Sequence, residues 1–169
     1  MTRNQAALAA LLGLVLTAPG CGFHLQGATE LPREMESTLL VVQDPYSNFV
    51  RRLTILLEQN GAHVVDAPPS EAVLEIPVND VTKEILTIGE NARVREYRVR
   101  HRVQFRLLDD KGNILVPEQT LERSRVISFN EQDILAATRE EEFLRQELAD
   151  TLSRLVLRAL GTSGAQGPG

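Results

Sequence analysis

The sequence predicts an α+β fold: a two-layer sandwich with a four-stranded, mostly antiparallel sheet and two helices on one face, in the order β-α-β-β-β-α. Three observations lead to it. Residues 47–60 and 138–160 repeat apolar side chains at helical spacing, so each presents one apolar stripe. Residues 97–107 alternate, with Tyr97, Val99, His101, Val103, Phe105 and Leu107 on one side and Arg98, Arg100, Arg102, Gln104 and Arg106 on the other, the period of a half-buried strand. Two striped helices and a one-sided sheet bury their apolar surfaces by covering each other.

The elements follow in order. TLLVVQ at 38–43 is a short apolar run suited to a strand buried on both faces, and Asp44-Pro45 ends it. The first helix, 47–60, sets Phe49, Val50, Leu53, Leu56 and Leu57 on one face and Arg51, Arg52, Glu58 and Gln59 opposite. Gly61 is its expected left-handed stop. Ala67-Pro68-Pro69-Ser70 is a loop. The second strand spans 72–88. Its alternation changes phase at Asn79-Asp80, which suggests a bulge, and Pro77 argues for an edge position. Residues 89–93 turn the chain into the arginine strand, 94–108, and DDKGN at 109–113 is a hairpin loop. A fourth strand follows at 119–129. The last helix, 138–160, opens on a capping box, Thr138-Arg139-Glu140-Glu141, with Asn130-Glu131-Gln132-Asp133 as the alternative cap. Its stripe is Leu144, Leu148, Leu152, Leu155 and Ala159, and its length of about 35 Å at 1.5 Å per residue covers the core side of the long hairpin.

The chain divides into residues 1–20, 21–37, 38–160 and 161–169. The first segment has a charge at Arg3, an apolar run to Ala18, and Pro19-Gly20 before Cys21, as a secretory signal does. It is too short to span a bilayer, which takes about 20 apolar residues. APGC resembles the bacterial lipoprotein signal, in which the cysteine is lipidated and becomes the mature N-terminus. It departs from that pattern at Ala18 and Pro19. Cys21 is the chain's one cysteine, so there is no disulfide framework. Residues 21–37 read as a leader between anchor and domain, and 161–169 as a disordered tail.

Composition is that of an ordinary globular protein: 43% hydrophobic, 24% charged, net charge -5 over 169 residues. Against that acidic background, six Arg and His101 stand between residues 93 and 106 with only Glu96. Catalysis is not expected. His24, His63 and His101 lack metal-ligand spacing, and there is no G-x-S-x-G, Walker or H-E-x-x-H motif. No cofactor is called for. A nucleic-acid partner is set aside, because the arginine face lacks the aromatics that stack bases and the chain is read as exported.

Two readings of the strip stand side by side. In the first it is paired internally. A hairpin turning at Asn91 sets Glu84 opposite Arg98 and Asp80 opposite Arg102, and Glu118 and Glu122 share the spacing of Arg102 and Arg106. Arg93, Arg95, Arg100, Arg123 and Arg125 then lack obvious acids. In the second, the strip meets an anionic partner, since Arg binds phosphate bidentately and holds its charge at any relevant pH.

CGFHLQG after the cut, DPYSNFVRRL opening the first helix, REYRVR after the hairpin tip and ILAATREEEFLRQEL leading the last helix resemble the LPS-assembly lipoprotein family, LptE. The resemblance spans nearly the whole mature chain. It implies this two-layer fold, an outer-membrane lipid anchor at Cys21, a seat as a plug in an LptD-type β-barrel with a part in its assembly, and lipopolysaccharide binding. It links Arg93 and Arg95 near the hairpin tip, and Arg139 near the start of the last helix, to lipopolysaccharide. Arg98, Arg100, Arg102 and Arg106 are left to face lipopolysaccharide or the barrel wall. The alternative is an adaptor lipoprotein of a phospholipid-transport system, against which CGFHLQG argues.

Overall fold

The computed structural model describes residues 29–88, 94–128 and 134–164. Its elements are β1 (Ser37–Val42), α1 (Asn48–Gln59), β2 (His63–Val65), β3 (Ala72–Ile88), β4 (Val94–Asp109), β5 (Ile114–Ser128) and α2 (Ile134–Gly164), preceded by one 3-10 turn at Arg33–Glu36. The sheet has five strands in the order β2-β1-β3-β4-β5, one more than expected. The added strand, β2, is three residues lying parallel to β1, with Ser37 opposite His63. HVV is too short to show a period, so no sequence pattern separates it from a loop.

Local chemistry sets the turns. Ser47 caps α1, its Oγ accepting from Val50 N at 3.3 Å. Gly61 ends that helix at φ +93°, a conformation open to glycine. At 109–113 the Asp109 carboxylate accepts from the backbone N–H groups of Lys111 (2.9 Å) and Asn113 (2.7 Å), and Gly112 takes φ +83°.

Both helices pack on one face of the sheet. The main core joins Phe49, Leu53 and Leu57 of α1, Leu74 and Ile76 of β3, Phe105 and Leu107 of β4, and Leu152, Val156 and Leu160 of α2. A second, small cluster of Val99, Ile127 and Leu148 lies farther along the hairpin. The molecule thus has a proximal body, where all five strands and both helices meet, and a distal arm. In the arm only β3, β4 and β5 continue, under the first half of α2.

Several boundaries differ from expectation. β1 is covered on one side only, and Val41 on its outer face is 46% exposed. The bulge in β3 lies between Glu75 and Val78, earlier than the phase change at Asn79-Asp80. β1 pairs as far as Ile76, and Pro77, which has no N–H to give, follows at once. Pro77 therefore marks where β3 changes from an interior strand to an edge. β5 begins at Ile114 instead of 119, because pairing of Val116 with Leu107 and Ile114 with Leu108 extends it past Pro117 on the open edge. α2 begins by Ile134, and Thr138 Oγ1 donates to Ile134 O at 2.9 Å, so Thr138 is inside the helix and not its cap. The alternative cap at 130–133 and the turn at 89–93 lie outside the described residues. α2 runs to Gly164, taking up the start of the expected tail; 165–169 lie outside. Part of the expected leader also joins the fold: Met35 is buried and Leu31 packs against the core.

Candidate functional site

The outer face of the sheet, away from the helices, is built by the alternation of β4. Val99, His101, Val103, Phe105 and Leu107 are buried under the helices, which turns Arg98, Arg100, Arg102, Gln104 and Arg106 outward. The register matches the sequence expectation: Glu84 stands opposite Arg98, and Asp80 opposite Arg102. Glu122 of β5 stands opposite Arg102 from the other side.

Charge on this face is largely paired. Glu84 Oε2 lies 3.8 Å from Arg98 Nη1 and accepts from Arg100 Nη2 at 3.2 Å. Arg100 Nε is 3.3 Å from Glu122 Oε1, and Arg106 Nε donates to Glu75 Oε2 at 2.5 Å. Gln104 donates to Glu118 at 2.8 Å. Arg100, expected to lack an acid, thus has two. The signal was available: Glu84 and Glu122 share the outward parity of Arg100 and flank it diagonally. Arg102 is the exception, exposed and without an ion pair among the described residues. These side chains are about a quarter to a half exposed, so each pair contributes at most about 1 kcal/mol.

A second layer of charge ties the distal arm together on the helix side. Arg125 donates to Glu147 at 2.7 Å, giving another expected orphan its acid. Lys83 donates to Glu141 at 2.5 Å and sits 4.1 Å over the Tyr97 ring. Hydrogen bonding from Lys83, then from Arg145, holds the Glu141 carboxyl below the usual range despite its partial burial.

The distal end itself is apolar and open. Ile85 (56%), Ile88 (61%), Ile134 (59%), Leu135 (74%) and Phe143 (65%) are exposed on the far stretches of β3 and α2. Arg139, on the same stretch of α2, is exposed and makes no ion pair among the described residues. The sequence reading passed over this cluster, although Leu135 and Phe143 stand outside the helical stripe, which was the available sign. Arg95 lies in β4; Arg93 and Cys21 lie outside the described residues. The candidate residues therefore fall in two places, Arg98, Arg100, Arg102 and Arg106 together on the sheet and Arg139 apart on the distal helix. No cluster of metal-ligating side chains occurs among the described residues.

A family model described as LptE, lipopolysaccharide-assembly, matches residues 37–160. The chain is 32% identical over 158 residues to the LPS-assembly lipoprotein LptE of Yersinia enterocolitica, covering 89% of this chain and 73% of that one. It is 27% identical over 157 residues to the protein of the same name from Photorhabdus laumondii, covering 92% and 85%. Among solved structures, lipoprotein B from Nitrosomonas europaea superimposes with a TM-score of 0.70 at 29% identity, over 86% of this chain and 94% of the other. The rare lipoprotein B from Shewanella oneidensis gives 0.65 at 22% identity, over 76% and 97%, a likeness of fold.

Proposed function

The chain belongs to the LptE family of lipopolysaccharide-assembly lipoproteins, and from that membership we propose the following. The protein is lipidated at Cys21, anchored to the outer membrane, and seated as a plug in an LptD-type β-barrel. There it assists assembly of the barrel and binds lipopolysaccharide on its way to the outer leaflet. The role is structural and ligand-binding, with no catalytic step.

The observation that carries the reading is the division of labour between the two surfaces. The outer sheet face is dense in charge yet mostly paired within itself. Such a face can lie against a polar, hydrated barrel lumen without stranding a charge. The distal end combines exposed apolar side chains with the unpaired Arg139. An anionic amphiphile, with phosphates for guanidinium and acyl chains for apolar surface, matches that combination. Lipopolysaccharide is such a molecule. In this reading Arg98, Arg100 and Arg106 serve the lumen-facing surface, while Arg102 on the same face and Arg139 on the distal helix are, among the described residues, cations open to a partner.

Copurification tests it. Solubilised from native membranes, the lipoprotein should elute with a β-barrel protein at fixed stoichiometry. Elution as a free monomer would contradict the plug, whatever its affinity for lipopolysaccharide.

A further inference from the structure

The proximal end holds a contact that the elements alone do not require. Thr29 N donates to Asn60 Oδ1 at 2.8 Å, and Asn60 Nδ2 donates back to Leu56 O at 2.7 Å. Asn60 is the C-cap of α1, so one side chain joins the incoming chain to the end of that helix. Thr29, with Glu30 beside it, also meets α2. A Cβ built on Gly161 would overlap the Thr29 methyl and stand 3.0 Å from Glu30 O. Gly161 lies within α2, where glycine is among the poorest helix formers, and no positive φ accounts for it. Its use here is lack of a side chain, which lets Thr29 and Glu30 cross the helix at backbone distance. Leu31 and Met35 then carry the segment into the core.

We propose that the C-terminal turns of α1 and α2 form a seat for the chain's own leader, that Gly161 admits it and Asn60 latches it, and that this seat fixes where the N-terminal segment leaves the domain. That point is the end opposite the distal arm, since both helices run from the sheet's middle or tip toward Thr29. Thr29 stands eight positions after Cys21, a reach of at most about 29 Å when fully extended. A lipid on Cys21 would therefore hold the proximal end close to its membrane surface and aim the arm away from it. This consequence rests on the lipidation reading; the seat does not.

Hydrogen–deuterium exchange on the full mature chain in detergent tests the seat. In the wild type, the peptide covering residues 29–36 should exchange at least tenfold more slowly than free chain. Gly161→Leu and Asn60→Ala should each remove that protection while peptides of α1 and β4 keep theirs. Gly161→Ala should loosen the segment, and Thr29→Ser, which deletes the overlapping methyl, should restore it in the double variant. This last pair decides the matter if Gly161→Leu also loosens the core. Free-chain exchange in the wild type, or protection unaltered by Gly161→Ala and Asn60→Ala, would overturn the proposal. Copurification of the same variants with the barrel reads the anchoring consequence separately, so a failed plug reading leaves the exchange result intact.

Discussion

The alternation of β4 turns His101 inward, and it is 2% exposed. Its Nε2 lies 2.8 Å from Asn79 Oδ1, and Asn79 Nδ2 donates to Ser47 Oγ at 3.0 Å. Because the Asn79 amide N–H points to Ser47, its oxygen accepts from His101, which places the ring proton on Nε2. Nδ1 is buried with no partner among the described residues, so a second proton would enter where none of them accepts it. Burial pushes the His101 pKa down to about 4; Asp80 opposes this and Arg145 adds to it. The folded protein thus binds this proton less readily than the unfolded chain does. The contribution is complete above pH 6.5 and is lost as pH falls toward 4, amounting to about 3 kcal/mol at about 1.4 kcal/mol per pKa unit. Urea unfolding at pH 7 and pH 5 should show part of that loss, and His101→Gln should flatten the slope between those values. An equal slope in both proteins would remove His101 as its source. Its place on the core side was legible from parity alone, whereas its polar partners were not, because Ser47 and Asn79 are far apart in sequence. On the outer face the prediction is one of contrast. Arg102→Ser should leave stability within about 0.5 kcal/mol, and Arg139→Ser should weaken lipopolysaccharide binding at least fivefold. Arg106→Ser, which breaks the pair with Glu75, should cost up to about 1 kcal/mol of stability and leave lipopolysaccharide binding within twofold.

The elements differ in what holds them. α1 is fixed by an apolar face of Phe49, Val50, Leu53, Leu56 and Leu57 and by Ser47, which serves the helix end and Asn79 at once. Ser47→Ala should destabilise the protein by about 1–2 kcal/mol, the upper part of the range for a lost cap because a second bond goes with it; urea titration measures it. α2 is held unevenly. Leu148, Leu152, Val156 and Leu160 are buried, while Ile134, Leu135 and Phe143 are not. Amides in 134–143 should exchange faster than those in 148–160, and uniform protection along the helix would show that the distal half is packed better than its exposure indicates. The helices and the long hairpin were legible because their periods run for many residues, and the register followed from one turn position. What escaped was short or placed by a neighbour: β2, the true start of α2, and the first turn of β5 beyond Pro117. Pro77 was read correctly as an edge signal, but sequence does not reveal that one strand can be interior over its first half and edge over its second.

At the scale of the whole molecule, the protein has a body with a full core at one end and an arm with a small core at the other. Among the described residues, the arm's three strands and half helix bury Val99, Ile127 and Leu148 together, with Val81 and Leu144 packed against them, and leave Ile85, Ile88, Ile134, Leu135 and Phe143 exposed toward its end. A part so lightly packed is stabilised further by whatever covers it, and the account assigns that covering to lipopolysaccharide and the barrel. The family was legible from CGFHLQG and from the helix openings, and so was the opposition of Glu84 to Arg98, whereas the diagonal contacts of Arg100 with Glu84 and Glu122, acids on the two flanking strands, were not drawn from the sequence. The most direct test is photo-crosslinking in living cells with the reactive side chain placed at position 102 and, separately, at 139. The account predicts adducts with an outer-membrane β-barrel from position 102 and with lipopolysaccharide from position 139. Adducts only with soluble periplasmic proteins, or none from either position while the protein is folded and membrane-bound, would contradict it.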